Sequence, residues 1–137
     1  MRRRTVVITD SDMQQLRRLI ASGDRSFRGE SLQLQRLEEE LDCAEIVNSE
    51  EVLPDLVTMN SRVQVRHLDS GVASEFQLVL PQNANLNYHR ISVLAPLGAA
   101  LLGHREGDVV ECDAPSGKKR VRVKKIVYQP RAGKLAA

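Results

Sequence analysis

The side chains able to do chemistry are few and scattered. Three histidines, His67, His89 and His104, stand 22 and 15 positions apart. No two share the i, i+4 spacing of helical metal sites, so neither a metal nor another cofactor is expected. Cys43 and Cys112 lie far apart without a CxxC neighbour, the pattern of two free, buried thiols. There is no nucleophile elbow and no GxGxxG, and Gly98 and Gly103 lack the Lys-Ser/Thr that would make them a phosphate loop. Two groups remain. Asp24 and Glu30 sit in a polar loop with Arg25 and Arg28, where carboxylates are ordinarily just solvated. Lys118, Lys119, Arg120, Arg122, Lys124 and Lys125 form a dense basic run in which Arg122 and Lys124 alternate with Val121 and Val123. Such a strand has one basic face, and that face is either plainly solvated, or meets phosphates, or meets an acidic partner. No aromatics are interleaved for base stacking.

The elements that must carry these residues follow from periodicity. Thr5 to Ile8 is a β-branched, extended lead-in. Thr9, Asp10 and Ser11 offer cap oxygens, with Gln14 three residues after Ser11 as a capping-box partner. Met13, Leu16, Leu19 and Ile20 then line one helical face, ended by Ser22-Gly23-Asp24. A second helix runs from about Ser31 to at most Val47, with Leu34, Leu37, Leu41 and Ala44 as a heptad seam and Glu38, Glu39 and Glu40 outside it. Two such helices bury their seams on each other, so residues 1–50 read as an antiparallel helical hairpin, a short coiled coil, with Arg17 and Arg18 beside the acidic helix.

From Val57 the period becomes two. Strands are expected around Arg62–His67, where Val63, Val65 and His67 alternate with Arg62, Gln64 and Arg66, and around Phe76–Leu80, Ile91–Val93, Val109–Cys112 and Arg120–Tyr128. Short turns between sequential strands predict an antiparallel sheet. Between the third and fourth strands, Pro96 suits a first helical turn and Gly103 the position just past a helix end. One short helix therefore packs on the sheet, with Leu97, Ala100 and Leu101 along one face. Residues 51–137 make the second half of an α+β chain, with a loose tail from about residue 129.

That helix lies in the most apolar stretch of the chain, yet Val93 to Gly103 is eleven residues, against about 20 for a membrane span. The segment after Arg2, Arg3 and Arg4 is too short for a secretory leader, so the cytoplasm is expected, with no membrane partner. The net charge of +2 divides unevenly, −2 over residues 1–50 and +4 over 51–137, which suggests two parts with different tasks.

The strings VTMNSRVQV (57–65), ISVLAPLGAALLGHREGDVVEC (91–112) and APSGKKRVRVKKIVY (114–128) resemble the C-terminal domain of the bacterial Gre transcript-cleavage factors. Within that superfamily DLVTMNSRV (55–63) and LAPLGAALLG (94–103) look like the short-armed branch formed by the regulators of nucleoside diphosphate kinase. The resemblance implies an FK506-binding-protein-like fold for the second half and a partner, RNA polymerase, met beside its secondary channel. The implied docking surface is Ala95, Pro96, Leu97 and Gly98. In the cleavage factors two tip acids help hold a catalytic magnesium; here only Asp24 and Glu30 are available, separated by two arginines. An arm of roughly 25 Å at about 1.5 Å per residue is also short for delivering a carboxylate to the polymerase active site. The implied function is a non-enzymatic elongation regulator, a monomer that competes with cleavage factors without stimulating cleavage. An effect on nucleoside diphosphate kinase levels would then be indirect. Three alternatives stay open: residual cleavage activity through Asp24 and Glu30, a prolyl isomerase, and weak nucleic-acid binding through Lys118 to Lys125.

Overall fold

A computed structural model describes residues 6–22, 31–48, 50, 52–114, 117–131 and 134–135. The chain opens with β1 (Val7–Thr9), which runs directly into α1 (Asp10–Ser22). Thr9 is the residue that caps this helix, its hydroxyl accepting from the Asp12 amide at 3.1 Å. That is two residues earlier in the chain than the Ser11–Gln14 capping box, on another of the three cap oxygens the sequence offers. Helix α2 (Ser31–Asp42) follows. It stops five residues short of the expected end, because a turn at Cys43 leads into β2 (Glu45–Val47), which pairs in parallel with β1. The β-branched Ile46 and Val47 thus finish in a strand, and the helix is about 18 Å long at about 1.5 Å per residue.

The remaining chain forms β3 (Arg62–His67), β4 (Ala73–Val79), β5 (Arg90–Ser92), α3 (Pro96–Leu101), β6 (Val109–Ala114) and β7 (Gly117–Tyr128). These strands make one five-stranded sheet in the order β5-β4-β3-β7-β6. Its antiparallel character holds except at the edge, where β5 runs parallel to β4. Pro81 ends β4, and the link to β5 crosses over through two 3-10 turns, Pro81–Asn83 and Leu86–Tyr88, rather than folding back as a tight hairpin.

Strand β3 alternates strictly, with Val63 and Val65 buried and Arg62, Gln64 and Arg66 exposed. The buried set of the sheet, Val63, Val65, Leu78, Val121 and Val123, meets Leu101 of α3 and also Ile8, Met13, Leu16, Leu37 and Leu41 of the N-terminal elements in one continuous apolar cluster. Each such side chain contributes about 1.5–3 kcal/mol when fully buried, so the helical pair is part of the same core as the sheet. Arg17 Nη2 and Asp42 Oδ1, 2.8 Å apart, join α1 to α2 on the outside, an exposed pair that sets register more than it adds stability.

Two positions tie the N-terminal strand to the sheet domain by close approach. The Val7 amide donates to the Gly103 carbonyl, and Gly103 adopts φ +79°, where an added Cβ would run into Val6. The expected terminal helix residue is therefore correct in its chemistry: Gly103 follows α3 in the left-handed conformation.

Position 129, where a loose tail is expected to begin, is still packed on the chain. Gln129 is buried, and its Nε2 donates to the carbonyls of Leu53 at 2.9 Å and Leu56 at 2.7 Å. Beyond it, β8 (Pro130–Arg131) pairs with β9 (Lys134–Leu135). Replacing Gln129 by alanine leaves the buried Leu56 carbonyl without this donor, while the Leu53 carbonyl keeps the Leu56 amide, and is expected to cost about 1–3 kcal/mol, read as a lowered urea midpoint with an unchanged m-value.

Candidate functional site

The step from strand to helix at residues 92–98 is built almost entirely from backbone. Ser92 accepts twice, its Oγ from the Leu94 amide at 2.9 Å and its carbonyl from the Ala95 amide at 3.0 Å. These two bonds close a tight corner after β5 and leave Ala95 extended (φ −67°, ψ 151°) as the residue before α3. No side chain caps the helix there, and Pro96 at its first position removes a donor that would otherwise lack a partner. The corner presents Pro96 and the neighbouring Ala99 to solvent, with Ala95 and Leu97 half-buried. Gly98 is buried, so it acts as a spacer that lets α3 lie on β5 rather than as surface. An alanine methyl there would overlap the Ser92 carbonyl oxygen and stand 3.1 Å from Leu78 Cδ1.

Pro96, Ala99 and Ala100 form one wall of a cavity of about 320 Å³ whose opposite wall is α2, through Arg36, Leu37 and Glu40. The strand-to-helix corner and the helical arm therefore share one concave surface. Its charged rim, Arg36, Glu40, Glu111, Asp113 and Lys118, is mixed in sign. No aromatic side chain lines it, nor the open groove of about 350 Å³ beside Arg66 and Lys124.

The basic run is divided by the fold. Lys118 and Lys119 begin β7 opposite Asp113 and Cys112, and Arg120 stands opposite Glu111. Further on, a bulge places Lys124 and Lys125 together against Gln64 of β3. Asp24 and Glu30 lie outside the described residues. The two cysteines are free, as expected, but not buried: Cys43 is exposed and Cys112 half-exposed. Cys43 sits in the solvent-facing turn that ends α2. Burial and the neighbouring Asp113 raise the Cys112 thiol pKa, although Lys119 opposes them. Phe76 stacks at a tilt against His89 with centroids 6.4 Å apart, and Arg90 lies over the Tyr88 ring at 5.5 Å. Among the described residues no group of three His, Cys, Asp or Glu side chains converges, and no helix is long and apolar enough to cross a membrane.

Sequence reasoning missed a second built feature, at the root of α1. The Asp12 carboxylate is buried, and its Oδ2 accepts the Met59 amide at 2.9 Å. Met59 is presented by a tight turn in which the Thr58 amide donates to Ser61 Oγ at 2.9 Å and Asn60 takes φ +67°, a conformation Asn tolerates better than most residues. Burial is the main reason the Asp12 pKa rises to about 6. Hydrogen bonds from Met59 and Thr9 pull it down, and Asp10 pushes it up slightly. The TMNS string (58–61) is thus a turn that holds the arm's first helix to the sheet domain.

The family description "Transcription elongation factor, GreA/GreB, C-term" matches residues 43–128, and a separate "Rnk N-terminus" description matches residues 4–47. This chain belongs to the GreA/GreB elongation-factor family. Among its relatives, the regulator of nucleoside diphosphate kinase of Escherichia coli strain K12 is 37% identical over 133 residues, covering 96% of either chain. The elongation factor GreA of Thermotoga petrophila is also 37% identical, but over 94 residues that cover 69% of this chain and 60% of GreA. Among solved structures, a GreA/GreB elongation factor from Nitrosomonas europaea superimposes with a TM-score of 0.73 at 36% identity, covering 92% of this Gre-family chain and all of that one. The Gre resemblance read from 57–65, 91–112 and 114–128 is therefore correct, and the N-terminal helical pair has a family description of its own.

Proposed function

We propose that this Gre-family chain is a non-enzymatic elongation regulator that binds RNA polymerase at the rim of its secondary channel and competes there with cleavage factors. On this reading residues 51–137 are an FK506-binding-protein-like docking domain, and residues 1–50 are a short antiparallel coiled-coil arm. The observation that carries the reading is the length of the arm together with its relatives. The helices have 13 and 12 residues, and the chain aligns over 96% of a regulator's length, whereas it spans 60% of a GreA that it resembles equally well by identity. An arm of about 18 Å is a poor carrier for a carboxylate that must act at a distant active site, so occupancy of the docking site, not cleavage, is the activity assigned. Any effect on nucleoside diphosphate kinase levels follows indirectly from transcription. The aromatic-free cavities weigh against a prolyl isomerase.

The corner at Ala95–Gly98 is the assigned contact. Leu97→Asp is expected to weaken binding to core polymerase about 30-fold or more, a hot-spot-sized loss. Because Leu97 also packs on the core, the exposed Ala99→Glu serves as the companion variant and is expected to lower affinity with an unchanged melting midpoint. Displacement of the chain from polymerase by a Gre cleavage factor, with no added cleavage in a backtracked complex, completes the test. Unchanged affinity in both variants removes the corner from the interface, and cleavage lost in Asp24→Ala would reassign the function to the tip.

A further inference from the structure

The outward face of the five-stranded sheet carries more positive charge than its own acids neutralise, and the strand register shows where. Along the first half of β7, acids stand opposite the bases: Asp113 faces Lys118, Glu111 faces Arg120, and Arg120 Nη2 also lies 3.8 Å from Asp69 Oδ1. Two residues further on the compensation stops. Arg122 faces Val109 on one side and Arg66 on the other. Like charges directly opposite one another destabilise an antiparallel pair. The bulge then sets two more bases, Lys124 and Lys125, side by side against Gln64, and bulges are where strands re-aim side chains.

All four bases are exposed. The acid on the neighbouring strand, Glu75, is taken by Arg62 at 3.3 Å and Gln64 at 3.2 Å. Arg66 reaches only the Gly71 carbonyl, at 3.0 Å. Among the described residues Arg122, Lys124 and Lys125 have no acidic partner.

We propose that the face formed by Arg66, Arg122, Lys124 and Lys125 binds the phosphate backbone of a nucleic acid without reading its sequence. A row of phosphates relieves the Arg66–Arg122 repulsion, which no ion pair among the described residues does. A protein partner fits less well. Protein interfaces centre on apolar and aromatic anchors and are poor in Lys, whereas the exposed large apolar side chains near these bases are separate valines, Val72, Val109 and Val127. No aromatic side chain lines the groove beside Arg66 and Lys124, so base stacking is not available there and the binding is electrostatic. The inference is independent of where the Pro96 corner docks.

The test is anisotropy of a fluorescent oligothymidylate and a fluorescent duplex, titrated with the full chain between about 50 and 200 mM salt. With three phosphates engaged on the duplex, affinity falls about 40-fold across that range, a log–log slope near −2.7. Arg122→Gln with Lys124→Gln brings the slope to about −1 and weakens low-salt binding about tenfold. Arg66→Glu separates binding from folding: it places opposite charges across β3 and β7, so it raises the melting midpoint while lowering affinity. No salt-dependent binding by the wild-type chain overturns the proposal. So does binding that survives both sets of variants yet is lost in Lys118→Gln with Lys119→Gln, which places the contact at the β6–β7 end. Competition by polyglutamate as effective as oligothymidylate at equal charge also overturns it, in favour of an acidic protein.

Discussion

Gly98→Ala is expected to destabilise the chain by about 3 kcal/mol, a fall of roughly 10 °C in melting midpoint. The sign is the informative part, since Gly→Ala inside a helix ordinarily gains up to about 1 kcal/mol. Here the new methyl has nowhere to go. It would overlap the Ser92 carbonyl and press on Leu78 Cδ1 at 3.1 Å. That carbonyl cannot rotate away, because it accepts the Ala95 amide that closes the corner, and the next residue, Val93, is anchored by its amide to the Val79 carbonyl. Relief requires α3 to lift from the sheet, which exposes Leu101 from the centre of the core. The same movement displaces Pro96 and Ala99, so the proposed polymerase contact should weaken with stability. A chemical-denaturation curve decides the matter, and a stabilised Gly98→Ala variant would mean that α3 does not lie on β5 as described.

The second large effect is a pH dependence at Asp12. Its pKa stands at about 6 against an ordinary 3.8, chiefly because burial penalises the charged carboxylate. The folded chain therefore holds this proton more firmly than the unfolded chain. The stability that follows is fully present below about pH 4 and is lost as pH rises through about 6. Its size is about 3 kcal/mol. Asp12→Asn keeps an oxygen to accept the Met59 amide but cannot ionise. The difference in unfolding free energy between this variant and the wild type should shift in favour of Asn by about 3 kcal/mol between pH 4 and 7, while other groups cancel. A flat difference would show that water reaches the carboxylate. Asp12→Ala removes the acceptor altogether, and its loss of about 1–3 kcal/mol should persist even below pH 4.

What the sequence made legible is what local periodicity can carry. The alternation of Arg62 to His67 and of Val121 and Val123 in β7 specifies strands whose buried faces carry Val63, Val65, Val121 and Val123 as read. The seam of α2 is right at Leu37 and Leu41, and Leu34 and Ala44 do pack on the core. Its end was misread because Ala44, after Leu34, Leu37 and Leu41, continues the heptad spacing. Nothing local reveals that β1, some forty residues earlier, is waiting to pair with Ile46. The direction of β5 depends on how residues 80–89 cross over, and periodicity is blind to direction. Asp12 and Gln129 were invisible for a related reason. Each is a lone polar residue whose partners stand 47 residues away in one case and 73 or more in the other. The corner at Ala95–Gly98 was singled out by family resemblance. The structure adds that two of its four residues are half-buried and one is a spacer.

The parallel pairing of β1 with β2 has a consequence for how such an arm can vary. The Glu45 amide bonds the Val6 carbonyl at 2.9 Å, and Val7, Ile8 and Thr9 run in register with Glu45, Ile46 and Val47. The chain thus enters and leaves the helical pair through neighbouring strands, as through a buckle. Residues added between them lengthen a loop that is already closed, and each doubling of such a loop costs only about 0.6 kcal/mol. Reach is therefore decoupled from anchorage: helical turns can be inserted beyond Ile20 and Leu34 while the core beneath keeps the same contacts, which makes arm length a quantity that selection can tune by itself.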